Sequence, residues 1–174
     1  MDLSGRRVLV FATHSLVAGD LDGLAQPALA LSAPSVTGEP GDGLLTVSEI
    51  LGLRLNADWV VLSACNTASG DGAGAEAISG LGRAFFYAGS KALLVTGWPV
   101  ETGSARLLTT TLFARQKQHD IAAGAEALRQ ASLFLIDEGG HRDVAGRLQF
   151  SYAHPIFWAP FSVIGDAGAG RAGG

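Results

Sequence analysis

Three short apolar runs constrain this chain more than anything else in it: Val8-Leu9-Val10-Phe11, Trp59-Val60-Val61-Leu62 and the stretch 91–96. Each is too brief for a helix, carries no helical stripe and ends in polar residues. Runs of this kind read as strands buried on both faces, as in a parallel sheet. The segments between them read as helices. Thr46-Val47-Ser48-Glu49 has the T-x-x-E form of a capping box and predicts a short helix to about Leu53. Over 75–88, Ile78, Leu81, Phe85 and Phe86 recur on a helical face and Gly89 follows as the terminating residue. Two further helices are expected at 102–116 and 121–136, separated by a charged segment at 116–120. Buried strands separated by helices predict an α/β, three-layer sandwich with a mostly parallel sheet.

The remaining segments are plainer. The stretch 15–26 reads as a loop, and 28–32 with 43–46 as two short strands around a turn-rich excursion, a surface hairpin. Residues 137–153 look irregular, and a last strand is expected at 160–164. One domain over 1–166 and a flexible Gly/Ala-rich tail at 167–174 are expected. With 48% apolar and 16% charged residues, 174 residues suffice for one substantial core. A net charge of −4, without a Lys/Arg cluster, excludes a phosphate backbone as the default partner. Cys65 is the single cysteine, so neither a disulfide framework nor a thiolate zinc site is expected, and no metal or cofactor is predicted. Gly70, Gly72 and Gly74 follow it closely but lack the spacing of a phosphate-binding loop. No apolar stretch is long enough to span a bilayer, and the start is too short for a signal peptide, so a cytoplasmic protein without membrane contact is expected.

Two strand ends carry reactive side chains. The first apolar run leads through Ala12-Thr13 to His14, and the second leads through Ser63-Ala64 to Cys65, fifty-one positions later. The third leads into Gly97-Trp98-Pro99-Val100-Glu101. In open α/β sheets, reactive residues gather beyond the carboxyl ends of the strands. A thiol and an imidazole on adjacent strand ends form a nucleophile and base pair. Taken singly, a lone cysteine is more often a small buried hydrophobe and a lone histidine more often structural. Among the other histidines, His119 reads as solvated and His154 as a turn residue.

Four motifs in order carry a family resemblance: Leu9 to His14; Leu62-Ser63-Ala64-Cys65-Asn66-Thr67; Ala88-Gly89-Ser90-Lys91 leading to Gly97-Trp98-Pro99-Val100-Glu101; and His154-Pro155-Ile156-Phe157-Trp158-Ala159-Pro160-Phe161 leading to Gly165-Asp166. Together they resemble the CHAT domain family, caspase-like modules similar to separase and often fused to tetratricopeptide repeats. The resemblance implies a caspase-like fold and a cysteine endopeptidase with Cys65 as nucleophile and His14 as base, passing through an acyl-enzyme. It implies an oxyanion hole from the backbone amides of Ser15 and Cys65. Asp20, Asp22, Asn66, Asp71, Trp98 and Glu101 are the candidate substrate-binding residues, and the acidic ones suggest a basic P1 side chain. Expected partners are a protein or peptide substrate and a tetratricopeptide-repeat or other regulatory protein. Two departures stand out. Ser15 replaces the glycine common in the family, and the His strand begins at about residue 7, as if the usual N-terminal part were lacking. An open sheet edge, and with it a homodimer, is expected from the second. The alternative function is a non-catalytic interaction module of the same family.

Overall fold

The computed structural model describes residues 3–38, 40–63, 73–119 and 124–166, with the backbone alone at 73–79 and 118–119. In chain order the elements are β1 (Val8–Phe11), β2 (Ser15–Leu16), β3 (Ala28–Ala30), α1 (Pro34–Thr37), β4 (Leu44–Thr46), α2 (Val47–Leu51), β5 (Trp59–Leu62), α3 (Ala73–Ala88), β6 (Ala92–Thr96), α4 (Thr102–His119), α5 (Gly124–Asp137), β7 (Gly140–Arg142), β8 (Leu148–Ser151), a 3-10 turn at Pro155–Phe157, and β9 (Phe161–Gly165).

The main sheet has the order β1-β5-β6-β9. Its first three strands are parallel, and β9 returns antiparallel to β6. Because side chains alternate between faces, each strand feeds two cores. On one face Leu9, Val60, Leu62, Leu93 and Val95 pack with Ile50 of α2 and Leu81, Ala84 and Phe85 of α3. On the other, Trp59, Val61, Ala92 and Leu94 pack with Leu108 and Leu112 of α4, Ala127, Ala131 and Leu135 of α5, Tyr152 and Phe161. The result is a helix–sheet–helix sandwich with a mostly parallel sheet, the layering of a caspase-like fold.

Local chemistry explains the element ends. Thr46 accepts a hydrogen bond from the Glu49 amide while the Glu49 carboxylate accepts from the Thr46 amide, so the capping box forms as its residues predict. Gly89 ends α3 at φ 109°, and a Cβ there would lie 2.3 Å from the Leu55 carbonyl oxygen, so only glycine fits.

The structure departs from the sequence-based expectation in four places. Strand β1 is not buried on both faces: Leu9 is covered, but Val8 is 42% and Val10 55% exposed. Their face lies beside Trp59 and Val61, where α4 and α5 cover β5 and β6 but do not extend over the edge strand. Residues 15–16, expected in a loop, form β2, which pairs with β3, itself paired with β4, in a small antiparallel sheet. The excursion between β3 and β4 holds the single turn of helix α1. Residues 137–153 are not irregular, because β7 and β8 pair antiparallel there. Their turn is built on Asp143, whose carboxylate accepts from the amides of Ala145 and Arg147, and His141 stacks on Phe150 at 5.1 Å.

Candidate functional site

His14 stands three residues beyond Phe11, the last residue of β1. Its backbone is held on both sides. The Thr13 hydroxyl donates to the Ala30 carbonyl, and the Ala30 amide donates to the His14 carbonyl at 2.9 Å. The imidazole itself is exposed. The chain continues at once into β2, where Ser15 is 4% exposed. Because Ala30 bonds to His14, the neighbouring Ser15–Leu29 pair is the non-hydrogen-bonded one of the antiparallel ladder. The Ser15 amide therefore points away from β3 and is not consumed by that pairing.

Strand β5 lies beside β1 in parallel register, with Phe11 opposite Leu62. The Ser63 amide donates to the Phe11 carbonyl at 3.1 Å, extending the ladder one residue beyond the pair. Cys65, Asn66 and Asp71 lie outside the described residues.

Two depressions meet at His14. A cleft of about 510 Å³ runs between the carboxyl ends of β1 and β5 and the first turns of α4. Val10, Ala12 and Val61 form its apolar side, His14 and Ser63 its head, and Thr102, Arg106 and Thr109 its helical side. The second, about 430 Å³, lies between β1 and the residues that follow β3, namely Leu31 and Ser32. The imidazole thus sits on a ridge between two hollows.

The remaining candidates occupy different places. Asp20 closes a turn, its carboxylate accepting from the Val17 amide at 2.8 Å, and Asp22 is exposed close by. Neither lines the two depressions. Trp98 donates from its indole Nε1 to the Ile156 carbonyl at 3.3 Å, tying the loop after β6 to the 3-10 turn. Glu101 accepts from the amides of Gly103 at 2.9 Å and Ser104 at 2.6 Å, which satisfies the free end of α4. Burial pulls the Glu101 carboxyl upward, but these amides and the Tyr152 hydroxyl outweigh it and hold it below its ordinary range. Tyr152 in turn is pushed up to about 12 by burial and by that hydrogen bond to Glu101. Gly103 makes room for the pair, since a Cβ there would come within 2.5 Å of the Tyr152 oxygen.

The helical side of the cleft was missed in the sequence. Thr102, Ala105, Arg106, Thr109 and Thr110 follow i, i+3, i+4, i+7, i+8 spacing and therefore share one face. That stripe of small and hydroxylated residues around one arginine, flanking the buried Leu108 and Leu112, was the available signal. His154 accepts at Nδ1 from the Ile156 amide and caps the 3-10 turn, a structural role. Among the described residues no group of three or more His, Cys, Asp or Glu could hold a metal ion, and no helix is long and apolar enough to cross a membrane.

Comparison with known proteins agrees with this architecture. Over 123 residues, or 71% of this chain, the sequence is 31% identical to tetratricopeptide repeat protein 28 of Mus musculus. The matched region is 4% of that much longer relative. The CHAT domain model matches residues 2–166, nearly all of the sandwich from before β1 to just past β9, and the chain belongs to the CHAT domain family.

Proposed function

We propose that the chain is a cysteine peptidase domain in which Cys65 and His14 act together on a peptide bond. One observation carries the reading. Phe11 and Leu62 are paired on parallel neighbouring strands, and His14 and Cys65 each follow their paired residue by three positions. Equal spacers beyond one rung favour a common site at the carboxyl end of the sheet. The Cys65 thiolate attacks the scissile carbonyl carbon, forming a C–S bond and a tetrahedral oxyanion. The Ser15 amide, directed away from β3, and the Cys65 amide are the proposed donors to that oxygen. Collapse breaks the C–N bond as His14 delivers a proton to the leaving amine, and water attacking the thioester, deprotonated by His14, releases the acid and restores the thiol.

The test is covalent labelling of the full chain with a peptidyl acyloxymethyl ketone, followed by mass mapping of the adduct. Labelling is expected on Cys65, absent in Cys65→Ala, and slowed by about 100-fold or more in His14→Ala. Equal labelling of wild type and His14→Ala would sink the dyad. Control by a tetratricopeptide-repeat partner is part of the same proposal, supported by the repeat protein named among its relatives.

A second reading has its own support. Val8 and Val10 form an exposed apolar face on an edge strand, a surface suited to pairing with another chain. In that reading the domain binds a partner, or a second copy of itself, without turnover. Light scattering of the purified chain separates the cases for the homodimer: a dimer dissociated by Val10→Lys supports pairing at β1, and a monomer at high concentration argues against it.

A further inference from the structure

We propose that the cleft beside His14 receives an acidic side chain of the substrate peptide, aspartate or glutamate, and that Arg106 selects it; this rests on the peptidase reading above. Apart from His14, Arg106 is the only ionisable residue among the described residues that line the cleft. Its guanidinium forms no hydrogen bond or ion pair with a described residue, whereas Arg7, Lys91, Arg129 and Arg147 are all matched to carboxylates. Its neighbours on α4 do not compete with it. Thr109 donates its hydroxyl to the Ala105 carbonyl and Thr110 to the Arg106 carbonyl, both at 2.8 Å, so their protons are engaged within the helix.

Of the acidic residues that suggested a basic P1 side chain, the three that the structure describes are engaged elsewhere or stand apart from these walls. Glu101 caps α4, Asp20 closes its turn, and Asp22 does not reach the cleft. A lysine or arginine entering from the substrate would meet a like charge and no described carboxylate. A carboxylate would meet a planar guanidinium able to bind both oxygens. The opposite wall is Val10, Ala12 and Val61, which carries no competing charge and offers apolar contact to the stem of the substrate side chain. Arg106 is therefore a specificity residue at the start of the cleft wall, one helical turn from Thr102.

The experiment uses acyloxymethyl ketones identical except at P1, which carries Asp, Glu, Ala, Leu or Arg, against the full chain. Wild type is expected to react with the Asp or Glu probe at least about tenfold faster than with the Arg probe, the ratio that a modest differential charge interaction supplies. Arg106→Glu is expected to reverse that order, Arg106→Lys to retain most of it, and Arg106→Ala to level it. Because Arg106 is exposed, an unchanged melting temperature in the variants shows that the fold is intact. Fastest reaction with the Arg probe, or an order that Arg106→Glu leaves unchanged, overturns the inference. If the Ala probe labels Cys65 with dependence on His14 but P1 has no effect, the inference fails and the peptidase reading stands. If no probe labels the chain, both fall.

Discussion

The two edges of the main sheet are each covered on one face only, and on opposite faces. On β1, Leu9 and Phe11 pack under α2 and α3, while Val8 and Val10 face the side where α4 and α5 stop short. On β9 the order is reversed: Phe161 and Val163 pack against the α4–α5 core, and Ser162 and Ile164 face out. The helical layers are thus offset diagonally across the sheet. The edges differ in what they leave open. β9 presents one serine and one isoleucine to solvent, whereas β1 presents two valines that continue into the cleft wall beside His14. The less finished edge is the one next to the candidate chemistry, as expected where a surface serves recognition rather than stability.

Substitutions on the two faces of β1 test this most directly. Leu9→Ala is expected to cost about 2–5 kcal/mol in urea unfolding, and Val10→Thr less than about 0.5 kcal/mol. A large loss from Val10→Thr would mean that the face is covered in solution, and would shift the reading toward a paired edge. Next comes the hydroxyl beneath the other edge. Tyr152→Phe should cost about 0.5–1.5 kcal/mol, because the buried phenol donates to the Glu101 carboxylate, which is exposed enough for water to replace the lost donor. Its sign with pH follows from a folded value raised to about 12 from 10.0: the stabilisation is complete below 10 and disappears as pH rises from 10 toward 12. Thermal melts of wild type and Tyr152→Phe should therefore converge over that range; parallel curves would remove the pair from the account.

A small, salt-dependent effect is expected at Asp58, which ties the starts of β1, β5 and β6 through Arg7 and, at 2.9 Å, Lys91. Burial raises its carboxyl pKa, but hydrogen bonds from Lys91 and Arg7 prevail and hold it below its ordinary value of 3.8. A depressed acid stabilises above its unfolded value, so the contribution is present above 3.8 and fades as pH falls below it. Both cations are more than half exposed, which limits Asp58→Asn to about 0–1 kcal/mol, with sensitivity to salt. A larger loss that survives high salt would assign Asp58 a packing role.

Much of this architecture was legible because its signals are local. The buried runs at β5 and β6, the Thr46–Glu49 box and the glycine after α3 each announce their element within a few residues. The β7–β8 hairpin was not legible because its strands are mostly exposed and carry His141, Arg142 and Gln149, with no apolar alternation to betray the pairing. The open face of β1 was hidden for a different reason. A valine on a bare edge and a valine in a core are the same letter, and only the reach of α4 and α5 distinguishes them. At the site, the position of His14 at a strand end followed from the sequence, while the cleft wall did not. Glu101 looked like a substrate acid in a loop, yet its oxygens meet the amides two and three residues ahead. Arg106 sat unnoticed inside a helix, because a helical residue declares its target only when the neighbouring layer is known.

The rung between Phe11 and Leu62 also sets a timetable. It joins positions on either side of a long intervening chain that contains the β3–β4 hairpin and α2, both of which assemble from near neighbours. Closing so distant a pair carries an entropic cost that local pairs avoid and is correspondingly slow. A growing chain therefore holds Phe11 and Leu62 well before their strands can be brought into line. Chemistry that needs both strand ends arrives late in folding, when the sheet that aligns them is already complete.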